Sequence, residues 1–134
     1  MEQHSRIGAE TLLGVKTAMD ETIREVTLYH HARWDGAGYP KREEIVQTLQ
    51  QLGVDATDVP EPRGDGIPLP ARLVAIADVF DALMSRRAYK DAWTPDQVRA
   101  EMVRSKGTHF DPELVDLFLA DFEEYCLIHS TIRE

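Results

Sequence analysis

The chain has 134 residues and a mass of 15.2 kDa, enough for one hydrophobic core, with 43% apolar and 29% charged residues. Its formal net charge is −9, from 24 acids against 15 bases, which argues against a nucleic-acid polymer or an anionic membrane surface as partner. A small phosphate ligand is not excluded, because a bound metal or a local cation cluster reverses the field at one site. The lone cysteine, Cys126, cannot close an internal disulfide, and no apolar run reaches the roughly 18 residues of a membrane span, so the expected compartment is the cytoplasm.

Helical spacing runs through nearly the whole chain. Ile7, Leu12, Leu13, Val15 and Met19 share one broad face, and Asp20 is placed to cap a helix over residues 21–31. Trp34-Asp35-Gly36-Ala37-Gly38-Tyr39-Pro40 then breaks the pattern, since two glycines and a proline in five residues mark a shaped loop. Residues 42–52 return to helical spacing through Ile45, Leu49 and Leu52, with Gly53 as the stop. Four acids, two prolines and two glycines make 54–66 an irregular surface loop. The most apolar helix is expected at 69–84, with Pro68 or Pro70 near its first turn. Two more follow: 95–106, opened by Thr94-Pro95 and stopped by Gly107, and a last one from Asp111-Pro112 to about residue 129. No strand-like alternation exceeds four residues, so the expected class is all-α, a compact helical bundle.

Several residues in this frame could carry chemistry. His30-His31 ends a helix just before the Gly-X-Gly-Tyr-Pro loop, and neutral imidazole is a common ligand for zinc, iron and manganese. Two cations near a helix C-terminus, favoured by its dipole, are the competing explanation. Asp78 stands inside the apolar run 73–83, where a buried carboxylate is costly unless it meets a cation, and so reads as a metal ligand. Asp81 lies three positions on, which suits a solvated or salt-bridged face. Ser85-Arg86-Arg87-Ala88-Tyr89-Lys90 offers guanidinium groups for phosphate and a phenol for stacking, or else simple cations at a helix C-terminus. His109 and His129 read as surface residues, and Cys126 as a small buried hydrophobe rather than a nucleophile.

Taken in order, these segments resemble the HD-GYP family of metal-dependent phosphohydrolases. The matches are His4-X-X-X-Gly8, His30-His31 with Asp35 to Pro40, Ile67-Pro68 with Ala71-Arg72, the run from Ala77 to Leu83, Arg87-Ala88-Tyr89-Lys90, and Gly107-X-X-Phe110-Asp111-Pro112. The resemblance implies an all-α bundle of the HD-domain type that holds two or three metal ions, with iron or manganese favoured. It implies hydrolysis of cyclic di-GMP to pGpG, and sometimes on to GMP, by a metal-activated water. It assigns metal-ligand roles to His4, His30, His31 and Asp78, second-shell roles to Asp35 and Asp81, and nucleotide contacts to Arg87, Tyr89, Gly38, Tyr39 and Pro40.

The chain departs from that family at three places. The HD pair, whose aspartate bridges the metals, should lie upstream of His4, yet no His-Asp dipeptide occurs here. Ala32 stands where the family has a glutamate, and the 26 residues between Pro40 and Ile67 form a long connection. The expectation is one HD-GYP-like domain over 1–134, N-terminally truncated, with an inserted helix and loop at 41–66 and a helical extension at 120–134. Such a chain is expected to bind divalent metal partially and to show little activity alone. The other reading is a degenerate module that binds cyclic di-GMP or a signalling protein, such as a diguanylate cyclase or a receiver domain. A purely structural helical bundle is a third, and oligomerisation stays open.

Overall fold

A computed structural model of the chain describes residues 18–86 and 91–133. His4, the face from Ile7 to Val15, Arg87 and Tyr89 lie outside the described residues. Among the described residues six α-helices follow in order: α1 (Ala18–Tyr29), α2 (Arg42–Gln51), α3 (Leu69–Met84), α4 (Pro95–Arg104), α5 (Pro112–Ala120) and α6 (Phe122–Arg133). Among the described residues there is no strand, only an isolated bridge between Lys106 and Phe110, so the fold is all-α as expected.

Each helix has a local cause. α1 already runs through Asp20, the expected cap. Asp20 therefore sits inside the first turn with Glu21, where two carboxylates complement the exposed N–H groups of the helix start. The helix closes at Tyr29, and a tighter turn from the Ala32 N–H to the Tyr29 carbonyl (2.8 Å) carries His30 and His31 off its end. In α2 the Glu44 side chain reaches back to the Lys41 N–H, and Gly53 takes φ +74° just past the last turn. α4 opens on a reciprocal cap: Thr94 Oγ1 accepts from the Gln97 N–H while Gln97 Oε1 accepts from the Thr94 N–H. It ends at Arg104, two residues short of the expected stop, with Gly107 at φ +84° beyond it.

The helix expected over 111–129 is two helices, broken at Asp121. No glycine or proline marks the break. The gain is in packing, because the turn brings α6 back onto α3. Phe80 of α3 meets the ring edges of Phe118 (centroids 5.2 Å apart), Phe122 (5.9 Å) and His129 (6.0 Å). The loop 54–66 is less irregular than expected: Gly64–Gly66 forms a 3-10 turn, and the Arg42 Nε–H donates to the Val59 carbonyl at 2.7 Å.

Two hydrophobic clusters result, with α3 as their shared spine. Its first turns, through Ala71, join Leu28, Tyr29, Ala32, Ile45 and Ile67. Its later turns, through Ala75, Ile76 and Phe80, join Val98, Met102, Phe110, Val115 and Phe122. Cys126 packs on this second cluster, and burial pushes its thiol above the usual range, which fits the expected hydrophobic role. Leu73, Leu117, Ile128 and Ile132 remain exposed around a groove of about 550 Å³ between α3, α5 and α6. No helix among the described residues is long and apolar enough to cross a membrane.

One ion pair joins the two halves. Arg72 on α3 donates to Asp111 Oδ2 at 2.7 Å, and both side chains are nearly enclosed, at 16% and 7% exposure. Asp111→Ala leaves a desolvated guanidinium facing apolar surroundings and removes the cap of α5. It should cost about 3–5 kcal/mol in a denaturant titration, and a loss below about 1 kcal/mol would mean the pair is solvated.

Candidate functional site

The site begins where α1 runs out. The His30 ring Nδ1 lies 2.8 Å from the Val26 carbonyl, which can only accept, so Nδ1 carries the proton. In the neutral ring this leaves the lone pair on Nε2, the form in which imidazole binds a metal. The His31 ring stacks on Tyr39, with centroids 4.9 Å apart, and lies tilted by 41° beside His30, with centroids 4.0 Å apart. Tyr39 thus orients the second imidazole, and its own N–H donates to the His31 carbonyl at 3.3 Å.

The loop returns against the helix end because Gly38 permits it. A Cβ there would come within 2.5 Å of the His31 carbonyl oxygen and 2.6 Å of the Arg33 nitrogen, so no other residue fits without moving the backbone. Pro40, after a cis Tyr39-Pro40 bond, is fully buried. Asp35 is committed within the loop. Its carboxylate takes a paired contact from Arg33 (3.0 and 3.2 Å) and accepts the Ala37 N–H at 2.9 Å, and the Arg33 hydrogen bond holds it below the usual carboxylate range. Gly36, at φ +83°, lies against the Arg63 stem.

Behind this loop stands the turn 105–110. The Trp34 N–H donates to the His109 carbonyl (3.0 Å), the Asp35 N–H to the Thr108 carbonyl (2.9 Å), and the Gly64 N–H to the Trp34 carbonyl (3.0 Å). The Arg72–Asp111 pair fixes the next residue of that turn, and Arg72 Nε–H also donates to the Ile67 carbonyl at 2.9 Å. The Ile67…Arg72 and Phe110-Asp111-Pro112 motifs are therefore one bracket under the loop. Sequence reading named these residues as matches but gave them no task.

Asp78 departs from expectation. It is exposed on α3, not enclosed by its apolar neighbours, so the desolvation argument for a ligand role does not hold. What remains is location, since α3 is the helix packed against α1, whose end carries the histidines. Asp81 does lie on a salt-bridged face: its Oδ1 is 3.3 Å from His129 Nε2. Among the described residues no three His, Cys, Asp or Glu side chains come close enough to hold a metal ion, and His4, the fourth expected ligand, lies outside them. The donor chemistry of His30, with its proton on Nδ1, fits a divalent cation; the described residues supply only part of a ligand set. The apolar groove between α3, α5 and α6 is not lined by either histidine.

Neither His109 nor His129 is the surface residue that isolated histidines suggested. His129, with its side chain 11% exposed, lies against Phe80 on the face of α6 that also carries Phe122, Tyr125 and Cys126. That i, i+3, i+4, i+7 stripe was the available signal. His109 stacks on Phe110 at 4.2 Å, half-buried behind the loop. Burial chiefly, and then the Arg33 charge, push its pKa down, against smaller opposing pulls from Asp35 and Glu101. The native state therefore takes up this proton less readily than the unfolded chain. Its contribution to stability is complete above about pH 6.5 and falls on acidification toward the native pKa. An NMR titration of the His109 ring should give a midpoint below 6.5, and one at or above 6.5 would place the ring in solvent.

Comparison with known proteins matches this geometry to a family. Residues 1–83 match a family model described as HD domain, and residues 59–114 match a second model of the same description. The chain is 39% identical over its full length to the 3'3'-cGAMP-specific phosphodiesterase 2 of Vibrio cholerae, of which it covers 22%. It is 40% identical over 98% of its length to the cyclic di-GMP phosphodiesterase response regulator RpfG of Xanthomonas campestris, covering 30% of that protein. A cyclic di-GMP phosphodiesterase of Thermotoga maritima is 33% identical over 89% of the chain, which covers 27% of it. The chain thus spans less than a third of the length of these relatives. Proteins of this kind are generally metal-dependent. The chain belongs to the HD domain family, as an HD-GYP member.

Proposed function

We propose that these residues form the histidine-pair and loop side of a metal-dependent phosphodiesterase site that hydrolyses cyclic di-GMP to pGpG and GMP. The observation that carries this reading is the end of α1: His30 with its Nδ1 proton given to Val26, and His31 held between His30 and Tyr39 beside the Gly38-Tyr39-Pro40 loop. The names of the relatives support a cyclic dinucleotide as substrate, and one of them specifies 3'3'-cGAMP, so both nucleotides belong in the test.

In this reading His4, His30, His31 and Asp78 hold divalent ions, with iron or manganese favoured by the mixed imidazole and carboxylate donors. A bound ion supplies an acidic water and offsets charge on the phosphoryl oxygens. The chain does the rest by fixed shape. Val26 and Tyr39 hold the two imidazoles in orientation, and the Arg33–Asp35 pair keeps the loop rigid so that Gly38, Tyr39 and Pro40 bound one side of the nucleotide. Arg87 and Tyr89 contact its phosphate and base, and Asp81 supports the acid-bearing face of α3. A receiver domain is favoured over a diguanylate cyclase as protein partner, because the name of the Xanthomonas relative includes a response regulator.

The 134 residues contain no His-Asp dipeptide, so a second ion is poorly held when they act alone. Two-metal sites stabilise nucleophile and phosphoryl oxygens together, and losing one ion costs on the order of a thousandfold in rate. The test incubates the chain with cyclic di-GMP or 3'3'-cGAMP and excess manganese or ferrous iron, following linear products by chromatography and nucleotide binding by calorimetry. Binding with turnover about a thousandfold below an ordinary enzyme, abolished in His30→Ala, is the expected result. Turnover indifferent to His30→Ala, or no binding of either nucleotide, overturns the reading.

A further inference from the structure

We propose that His129 is a positioning residue that fixes the point at which the chain leaves α3, and through it the affinity for the nucleotide. His129 belongs to α6, yet its Nε2 lies 3.1 Å from Ser85 Oγ and 3.3 Å from Asp81 Oδ1. These two partners are one helical turn apart at the very end of α3. An ionised carboxylate only accepts, so the proton sits on Nε2 and is shared between the carboxylate and the hydroxyl. The ring itself is locked by the edge contact with Phe80.

Ser85 is the C-cap of α3, at φ −95° and ψ 138°, where the backbone turns extended, and its N–H donates to the Asp81 carbonyl at 3.0 Å. The chain is held again at Trp93, whose N–H donates to the Leu83 carbonyl at 3.0 Å. Ser85 and Trp93 are thus both fastened to the last turn of α3. The Arg86–Asp91 pair, at 3.9 Å with both side chains more than four-fifths exposed, adds little. His129 is the buried side chain that holds the departure point. In sequence, Arg87 and Tyr89 follow Ser85 by two and four positions. The link to nucleotide affinity rests on the cyclic dinucleotide reading above; the link to Ser85 and Trp93 does not.

The experiment compares the protein with His129→Ala, His129→Gln and His129→Phe by hydrogen exchange at the Ser85 and Trp93 amides, by calorimetric titration with cyclic di-GMP and by thermal melting. Gln keeps an N–H donor near the Nε2 position, whereas Phe keeps the packing and loses the donor. His129→Ala and His129→Phe should both speed exchange at Ser85 and Trp93 and weaken nucleotide binding about tenfold, with His129→Gln restoring most of each. Unchanged exchange at both amides in His129→Ala overturns the proposal. Equal rescue by Phe and Gln also overturns it, because the ring would then act by packing alone. If the unaltered protein binds no cyclic dinucleotide, the functional reading fails, while the exchange results still decide the role of His129.

Discussion

The guanidinium of Arg72 joins two parts of the chain that lie far apart in sequence, the segment before α3 and the head of α5. It donates to the Ile67 carbonyl before α3, to Asp111 at the head of α5, and lies 3.8 Å from Asp65 in the 3-10 turn. An ion pair this enclosed is expensive to desolvate, and only good geometry and further hydrogen bonds offset the cost. Those bonds are present: the second oxygen of Asp111 accepts the Glu113 N–H at 2.9 Å, so one carboxylate caps a helix and neutralises a cation. Through the adjoining carbonyls of Thr108 and His109 the same bracket sets the height of the Trp34–Pro40 loop over the histidines. The loop therefore depends on a contact to which it contributes no side chain.

This dependence divides the family motifs into two kinds. Gly38, Pro40, Ile67, Ala71, Arg72, Phe110 and Asp111 are enclosed or pressed against backbone, and their identity is a packing requirement. His30, His31 and Asp78 are left at least partly open to solvent, as their proposed ligand role requires. Asp35 belongs with the first kind, since its hydrogen bonds all close the loop. A carboxylate beside a histidine pair invites assignment as a metal-supporting group. Here its geometry is spent on Arg33.

Helix existence was legible because each segment carried its own cap and period. Thr94-Pro95 with Gln97, and Asp111-Pro112, are local signals, and the structure uses both as caps. The break at Asp121 was not legible, because it is set by where Phe118, Phe122 and His129 find Phe80, a contact across some forty residues. The same limit explains Asp78. Its neighbours in sequence are apolar, but on a helix they point elsewhere, and the face at 78 proved open. Sequence proximity overstated its burial, just as reading His129 as an isolated residue understated that of its ring.

In the proposed function a chain of net charge −9 has to attract a ligand carrying two phosphodiester charges. Two guanidinium groups nearest the loop's framework are already committed, Arg33 to Asp35 and Arg72 to Asp111. They shape the site without lending it a positive field, because each is neutralised by a carboxylate within 3 Å. In the proposed reading attraction comes from ions held by imidazole and carboxylate, and from the cations of the Arg86–Lys90 stretch. Multivalent ions at the histidines and monovalent side chains beyond Ser85 differ in how they respond to solution conditions. Added salt screens exposed side-chain charges within a Debye length of roughly 8–10 Å, but hardly weakens a directly coordinated ion. A chelator does the reverse. Ligand binding that falls with chelation and persists in salt would therefore locate the attraction at the histidine pair, and the opposite pattern would locate it in the segment that His129 anchors.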